Sequence, residues 1–266
     1  MKGVVVRGGR QRLTAAAVLH DSRVLGARQL RRTLRRPTYI VFSFIQPVIF
    51  VLLFRYIFGG AINTGATTYV NFLMPGIIVQ TAIFGALVTG LGLTEDLSSG
   101  VVDRLRSLPM ARSAVLLGRT AADLVVNVFT LTIMIVVGVL VGFRPTGPAW
   151  QLGAAFLLVL AFSYVFSWIS AWIGLSVRNP ETAQSAGFIW VFPLTFASSA
   201  FVPIATMPGP VRTFAEHNPV TLVVDTVRGL TLGTPEPAGP AVRALIWLAA
   251  LLLIFVPVAV RAFRRA

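Results

Sequence analysis

Long runs of apolar residues occupy most of the chain, and most charged residues lie in the segments between them. A helix needs roughly 20 apolar residues to cross a bilayer, so runs of this length predict transmembrane helices. The predicted spans are about Tyr39–Phe58, Phe72–Leu93, Ala121–Val141, Leu152–Val177, Gly187–Val202 and Ala244–Val260. The fifth is short and contains Pro193, and we expect Pro75 and Gly76 to interrupt the second.

The composition supports a membrane protein. Of the 266 residues, 56% are hydrophobic, and the mean hydropathy is +0.80. A chain with so few charged residues cannot cover the surface of a soluble globule of this size. The sequence therefore predicts an all-α integral membrane protein. We expect a cytoplasmic N-terminus over residues 1–38 and a single six-span domain over residues 39–266.

The net charge of +14 reflects an uneven distribution of lysine and arginine. With six spans, 18 of the 23 basic residues fall on one side of the membrane. The other five are Arg55, Arg144, Arg212, Arg228 and Arg243. Because basic residues accumulate in cytoplasmic loops, this asymmetry predicts that both termini lie in the cytoplasm. The charge therefore indicates orientation in a membrane and does not require a nucleic-acid partner.

An amphipathic helix is predicted before the first span, from about Val18 to Arg36. Its apolar side contains Val24, Ala27, Leu30 and Leu34, and its basic side includes Arg28 and Arg31. Such a helix would lie among the lipid headgroups of the inner leaflet. A basic tail that only sets topology would explain the arginines but not the apolar stripe.

A second charged, helix-patterned segment lies between the second and third predicted spans, over residues 95–119. Leu97, Val101, Leu105 and Leu108 share one face of a helix, Asp96 and Asp103 lie on another, and Arg104 and Arg106 flank the apolar stripe. Gly100 weakens this helix, and Pro109 ends it. The pattern fits a docking surface for a partner protein. A solvated loop with incidental periodicity fits it as well.

One acidic residue, Asp123, is predicted to lie inside the third span. Arg119 precedes it by four residues, so the two side chains can pair near the inner interface. A buried carboxylate without a partner is costly. We therefore expect a structural ion pair, with a functional acid as the alternative.

Several chemistries lack the residues that they need. The only lysine is Lys2, so a phosphate-binding P-loop is excluded, and no HExxH, GxSxG or intramembrane carboxylate pair occurs. Cysteine is absent and there are two histidines, which argues against a metal site. We therefore expect no catalytic residue and no metal ligand. A transporter energised by a separate ATPase fits these absences.

Five motifs that together cover much of the chain are distinctive in combination. They are YVNFLMPGIIVQT at Tyr69–Thr81, DLSSGVVDRLRSLPMARSAVLLGR at Asp96–Arg119, GFRP at Gly142–Pro145, FPLTFASSAFVP at Phe192–Pro203 and NPVTLVVDTVRGL at Asn218–Leu230. With the amphipathic helix before the first span, they resemble the permease subunits of type-2 ABC exporters. The resemblance is strongest to the daunorubicin/doxorubicin resistance permeases of actinobacteria.

The resemblance implies a six-span permease in the cell membrane of a bacterium. It would form a dimer of identical chains on two copies of an ATP-binding subunit. ATP and Mg²⁺ would bind that partner, and this chain would bind no cofactor. A coupling helix over residues 95–110 would enter the ATPase, using Asp96, Val101, Asp103, Arg104, Leu105, Arg106, Leu108 and Pro109. The interface helix, with Val24, Arg28, Leu30, Arg31 and Leu34, would also contact it. Re-entrant helices would occupy residues 203–230.

The cargo is expected to be a hydrophobic or amphipathic drug, an antibiotic or a lipid. From depth and chemistry, the residues expected along its path are Gln46, Gln80, Phe84, Ser163 and Phe196. Two other classes of function remain open from the residues alone: a carrier or channel driven by an ion gradient, and a membrane scaffold that transports nothing.

Overall fold

The computed structural model describes residues 15–35, 37–59, 67–101, 112–177, 179–233 and 238–265, and all regular structure in these ranges is helical. The α-helices within them are α1 (Ala15–Leu34), α2 (Pro37–Leu53), α3 (Tyr69–Ser98), α4 (Arg112–Val141), α5 (Ala149–Ser176), α6 (Pro180–Phe196), α7 (Gly209–His217), α8 (Pro219–Leu232) and α9 (Ala238–Arg265). A π-helical turn at Phe54–Phe58 extends α2, and a 3-10 turn at Ile204–Thr206 precedes α7.

Four of the described helices are long and apolar enough to cross a membrane. They are α3, α4, α5 and α9, with qualifying stretches of 27 to 30 residues. The chain is therefore a multi-pass membrane protein with a helical fold. The helices α2 and α6 lie where the first and fifth spans are predicted, but each has 17 residues. The six-span topology stays a prediction for those two segments.

The centre of the bundle is the contact between α3 and α5. A Cβ added to Gly174 would lie 2.7 Å from the carbonyl carbon of Gly90 and 2.9 Å from its Cα, so the two backbones touch. The Thr94 hydroxyl donates to the carbonyl oxygens of Gly174, at 2.8 Å, and Gly90, at 3.0 Å. Small residues and a hydroxyl bond of this kind hold helices together inside membranes.

The expected interruption at Pro75 and Gly76 is wrong, because α3 runs without a break from Tyr69 to Ser98. Proline removes one backbone N–H, and in a buried helix packed on several sides this loss does not end the helix. Gly76 has a packing role instead. A Cβ at this position would lie 2.7 Å from both the carbonyl carbon and the Cα of Ala200.

The predicted coupling helix does not begin as a separate element at residue 95. Glu95 to Ser98 form the last turn of α3, and Gly100 follows with a φ of +71°. A glycine in this left-handed conformation is a common end of a helix. Residues 102–110, the greater part of the predicted coupling helix, lie outside the described residues.

Polar side chains tie α8 to the last turn of α6 and to the segment that follows it. Asn218 caps α8 by accepting from the backbone N–H of Val220 at 2.9 Å, and its amide donates to the carbonyl oxygens of Leu194 and Ala197. Buried backbone that is not helical needs partners of this kind in a membrane. The predicted re-entrant region, residues 203–230, contains α7 and all but the last two residues of α8.

Arg228 of α8 belongs to the same network. Its guanidinium lies 2.7 Å from the Asp225 carboxylate and donates to the carbonyl oxygens of Phe72, at 3.0 Å, and Ser199, at 2.8 Å. It also lies 3.8 Å from the centre of the Phe72 ring. One side chain therefore joins α8, α3 and the segment after α6.

The N-terminal helix α1 covers most of the range predicted for an amphipathic helix and packs along the first turns of α4. Glycines meet at the contact. A Cβ on Gly26 would lie 3.0 Å from the carbonyl oxygen of Gly118, and one on Gly118 would lie 2.7 Å from that of Ser22. This end of α4 is therefore held against α1 backbone to backbone.

Candidate functional site

A cavity of about 620 Å³ lies between α1, α2, α3, α4 and α6. Three phenylalanine rings and five side-chain amides form much of its wall: Phe50, Phe84, Phe188, Gln29, Gln46, Gln80, Asn127 and Gln184. A largely apolar wall with a few polar groups is typical of small-molecule sites. The cavity therefore offers ring faces for apolar ligands and amides that both donate and accept hydrogen bonds.

A charged cluster closes the end of the cavity that lies near the C-terminus of α3. Arg119 of α4 forms an ion pair with Asp96 at 2.5 Å, and its Nε lies 3.7 Å from the Asp123 carboxylate. The Thr89 hydroxyl donates to that carboxylate at 2.7 Å. Glu95 is also on the cavity wall. Carboxylates therefore outnumber cations at this end, among the described residues.

Arg119 can occupy this place only because residue 92 is glycine. A Cβ on Gly92 would lie 2.8 Å from Cζ of Arg119 and closer still to Nη2. Arg119 is buried, with 8% of its surface exposed. The sequence predicts its pair with Asp123 but not the closer pair with Asp96, which lies 23 residues away across the coupling segment.

The structure brings three of the five predicted path residues together. Gln46, Gln80 and Phe84 all line the cavity. Ser163 lies behind the wall, where it is fully buried and accepts from the Asn127 amide at 2.7 Å. Its place is therefore one of support, since it orients an amide that faces the cavity.

Phe196 lies outside the cavity and is 42% exposed. It belongs to a row of rings that starts at the cavity wall: Phe84, Phe192, Phe196, Phe201 and Phe54 follow one another at centroid distances of 5.9, 5.4, 5.2 and 4.7 Å. Offset and edge contacts at such distances are favourable between aromatic rings. The row extends the apolar surface of the cavity toward the segment after α6.

Sequence reasoning missed several polar residues of the wall, although for two of them, Asn127 and Thr130, a signal exists. On α4, Arg119, Asp123, Asn127 and Thr130 follow at helical spacing and all line the cavity. Extending the Arg119 and Asp123 pair by further turns would have found the other two. Gln29 and Thr33, which come from α1, were missed as well. No pattern within the spans points to them.

The residues predicted to contact an ATPase are described only in part. On α1, Val24 is 57% exposed, Arg28 and Arg31 are exposed, and Leu30 is half-buried. The side chain of Leu34 lies outside the described part. In the coupling segment, Asp96 pairs with Arg119, and Val101 is half-buried. The others, Asp103, Arg104, Leu105, Arg106, Leu108 and Pro109, lie outside the described residues. Within the described ranges no group of His, Cys, Asp and Glu could hold a metal ion.

A multi-pass helical bundle around a cavity of this kind is the architecture of a membrane transport protein. The ABC-2 type transporter family matches residues 21–232. The chain belongs to this family, and it is accordingly the permease of an ABC transporter, a class in which an ATP-binding subunit is the partner.

Named relatives agree with this assignment. The "Daunorubicin resistance ABC transporter permease protein DrrB1" of Streptomyces coeruleorubidus is 33% identical over 230 residues, which cover 86% of this chain and 80% of the relative. The "Probable doxorubicin resistance ABC transporter permease protein DrrC" of Mycobacterium tuberculosis is 25% identical over 248 residues, 90% of this chain and 86% of the relative. The "Doxorubicin resistance ABC transporter permease protein DrrB" of the same organism is 31% identical over 152 residues, 56% of this chain and 51% of the relative.

Proposed function

We propose that this permease exports hydrophobic or amphipathic drugs, antibiotics or lipids across the cytoplasmic membrane. The observation that carries the proposal is the cavity, since its volume of about 620 Å³ matches sites that enclose drug-sized molecules. Its phenylalanine rings can pack against aromatic or apolar cargo. The amides of Gln46, Gln80 and Asn127 can form hydrogen bonds with the polar groups of an amphipathic molecule. The drug-resistance names of the relatives support the same class of cargo.

The complete exporter is proposed to contain two copies of this chain and two copies of the ATP-binding subunit. ATP and Mg²⁺ bind the partner, because this chain has no lysine except Lys2 with which to build a P-loop. The chain contributes no catalytic residue and binds no cofactor. Its part in the reaction is to bind cargo and to change shape.

The topology proposed is six spans with both termini in the cytoplasm. The uneven distribution of arginine supports this orientation. Residues 1–38 then lie at the inner face with α1 as the interface helix, and residues 39–266 form the membrane domain. The re-entrant region, residues 203–230, dips into the outer leaflet. The charged end of the cavity faces the cytoplasm in this topology.

The energy of the ATPases is proposed to enter through residues 95–110. Leu105 and Leu108 pack into the partner, Asp103, Arg104 and Arg106 fix the register at the rim, and nucleotide-driven closure moves the segment as a rigid body. The ion pair of Asp96 and Arg119 supports this route, because it joins the start of the segment to the cavity wall.

Co-purification with the ATPase encoded beside this permease tests the function. We expect a stable complex whose ATP hydrolysis responds to daunorubicin. A rate of ATP hydrolysis that no hydrophobic drug changes would refute the proposed cargo class. The outcome could also be daunorubicin transport into vesicles that does not need ATP and that stops when an uncoupler is added. That result would instead establish a gradient-driven carrier.

The docking segment has its own test. Leu105→Asp with Leu108→Asp places two charges on the predicted apolar face, so the variant should insert in the membrane but lose the ATPase. The matched control is Ser107→Asp, an acidic substitution away from that face, which should still co-purify with the ATPase. Full ATPase binding and transport by the double variant would refute the docking assignment.

A further inference from the structure

We infer that α1 forms the cytoplasmic wall of the cargo cavity and that Gln29 and Thr33 contact the cargo there. The inference rests on the proposed export function, and it adds a specificity-determining role to a helix otherwise assigned only to the ATPase. Three features of the fold carry it: the two faces of α1, the contact that fixes α1 on α4, and the convergence of three elements at that contact.

The first feature is that α1 has two polar faces of different chemistry. Gln29 and Thr33 are one turn apart, half-buried, and both line the cavity. Arg28 and Arg31 are exposed. The helix therefore presents an uncharged amide and a hydroxyl to the cavity, whereas Arg28 and Arg31 are not part of the cavity wall. An amide and a hydroxyl can each donate and accept, so together they recognise hydroxyl, carbonyl or amine groups of a cargo.

The second feature is the close contact that sets the depth of α1 against the bundle. A Cβ on Gly118 would lie 2.7 Å from the carbonyl oxygen of Ser22 and 3.0 Å from the backbone nitrogen of Gly26. Where two backbones are in contact, no long side chain lies between them that could change conformation. The distance between α1 and α4 is therefore closely defined at this point. Gln29 and Thr33 follow Gly26 on the next turns of α1, so the same contact fixes where they lie relative to α4.

The third feature is that Gly118 is followed directly by Arg119. Residue 118 touches α1, and residue 119 pairs with Asp96 at the end of α3. The interface helix, the start of the coupling segment and the cavity wall therefore meet within two residues of α4. A shift of α1 along this contact moves Gln29 and Thr33 relative to Asp123 and so changes the cytoplasmic end of the cavity.

Single cysteines test the inference, because the native chain contains none. The variants are Gln29→Cys and Thr33→Cys, with Gln46→Cys as a cavity control and Ala27→Cys as an exposed control on α1 outside the cavity wall. Each is purified in complex with the ATPase, and its modification by N-ethylmaleimide is timed with and without daunorubicin. The permease band is resolved by mass from the ATPase.

We expect daunorubicin to slow modification at positions 29, 33 and 46 by about tenfold when its concentration is about ten times its Kd, since occupied sites are protected. The rate at position 27 should not change. Protection at position 46 without protection at 29 and 33 would overturn the cytoplasmic wall and leave the exporter standing. No protection at any position would overturn both. Equal protection at position 27 would overturn the inference, because the drug would then cover α1 generally.

Two further variants, which introduce no cysteine, test the same contact by measuring daunorubicin affinity. Gln29→Met and Thr33→Val keep the approximate size of each side chain and remove its hydrogen bonds. Each should weaken daunorubicin binding by several-fold, while the variant still co-purifies with the ATPase. Unchanged affinity in both variants would refute cargo contact by α1.

Discussion

The contact between α3 and α5 gives a sharp prediction about the bundle that encloses the cavity. Gly174→Ala adds one methyl group where Gly90 already touches the helix. Its Cβ would lie 2.7 Å from the Gly90 carbonyl carbon, whereas ordinary contact begins at 3.4 Å. The helices must therefore separate by about 0.7 Å or more. This separation also lengthens the hydrogen bond from Thr94 to the Gly174 carbonyl, now 2.8 Å.

Three effects set the size of the change. Overpacking a rigid contact costs about 1–3 kcal/mol, and weakening of the Thr94 bond to Gly174 costs up to about 1 kcal/mol. Alanine in place of glycine returns about 1 kcal/mol through its helix propensity. The net loss is about 2 kcal/mol, which is roughly 30-fold in the unfolding equilibrium constant.

The matched control is Gly153→Ala on the same helix, where nothing lies within 4 Å of an added Cβ. This variant keeps the propensity gain without the clash and should be more stable than the parent chain by up to about 1 kcal/mol. Unfolding by sodium dodecyl sulfate in mixed micelles, followed by circular dichroism, measures both. Equal stability of the two variants would refute the reasoning from backbone contact.

Two more predictions use the same unfolding assay. Arg119→Gln should cost about 3 kcal/mol because it removes the buried cation that Asp96 and Asp123 share. Asp96→Asn should cost less because Arg119 retains Asp123, and equal losses would contradict the shared pairing. Arg228→Met should cost several kcal/mol because it removes a buried guanidinium that donates to Asp225 and to the carbonyl oxygens of Phe72 and Ser199. Arg212→Met removes an exposed pair worth about 0–1 kcal/mol, and similar losses in the two variants would argue against a buried network at Arg228.

Patterns within one segment predicted most of the helices. Apolar runs and amphipathic periodicity predicted helices over α1, α3, α4, α5 and α9, because burial in lipid acts on each segment separately. The same local view failed at Pro75. A proline lowers helix propensity in an isolated segment, but packing around a buried helix outweighs one lost hydrogen bond.

The sequence predicted cavity residues only where the residue type and its depth within a predicted span were informative on their own. Gln46, Gln80 and Phe84 are polar or aromatic side chains at mid-depth, and all three line the cavity. Ser163 and Phe196 have the same local character, but one supports Asn127 and the other lies outside. The difference depends on how neighbouring helices are rotated, which no single segment encodes.

Long-range pairs were the hardest to foresee. Asp96 and Arg119 are separated by 23 residues, and their pairing depends on α3 and α4 lying side by side. The contribution of α1 to the cavity has the same origin. A basic amphipathic helix predicts a membrane surface or a partner, and only the meeting of Gly26 with Gly118 brings Gln29 and Thr33 to the wall.

The lack of space beside Gly92 has a consequence for how this cavity can diverge. Because the Arg119 guanidinium occupies the volume that a side chain at position 92 would need, any larger residue at 92 would displace the guanidinium from its present place between Asp96 and Asp123. Losing the arginine in turn leaves Asp96 and Asp123 without their shared cation. These four positions are therefore constrained to vary as a set, so a lineage that changes its cargo has more freedom at the phenylalanine and amide positions of the wall.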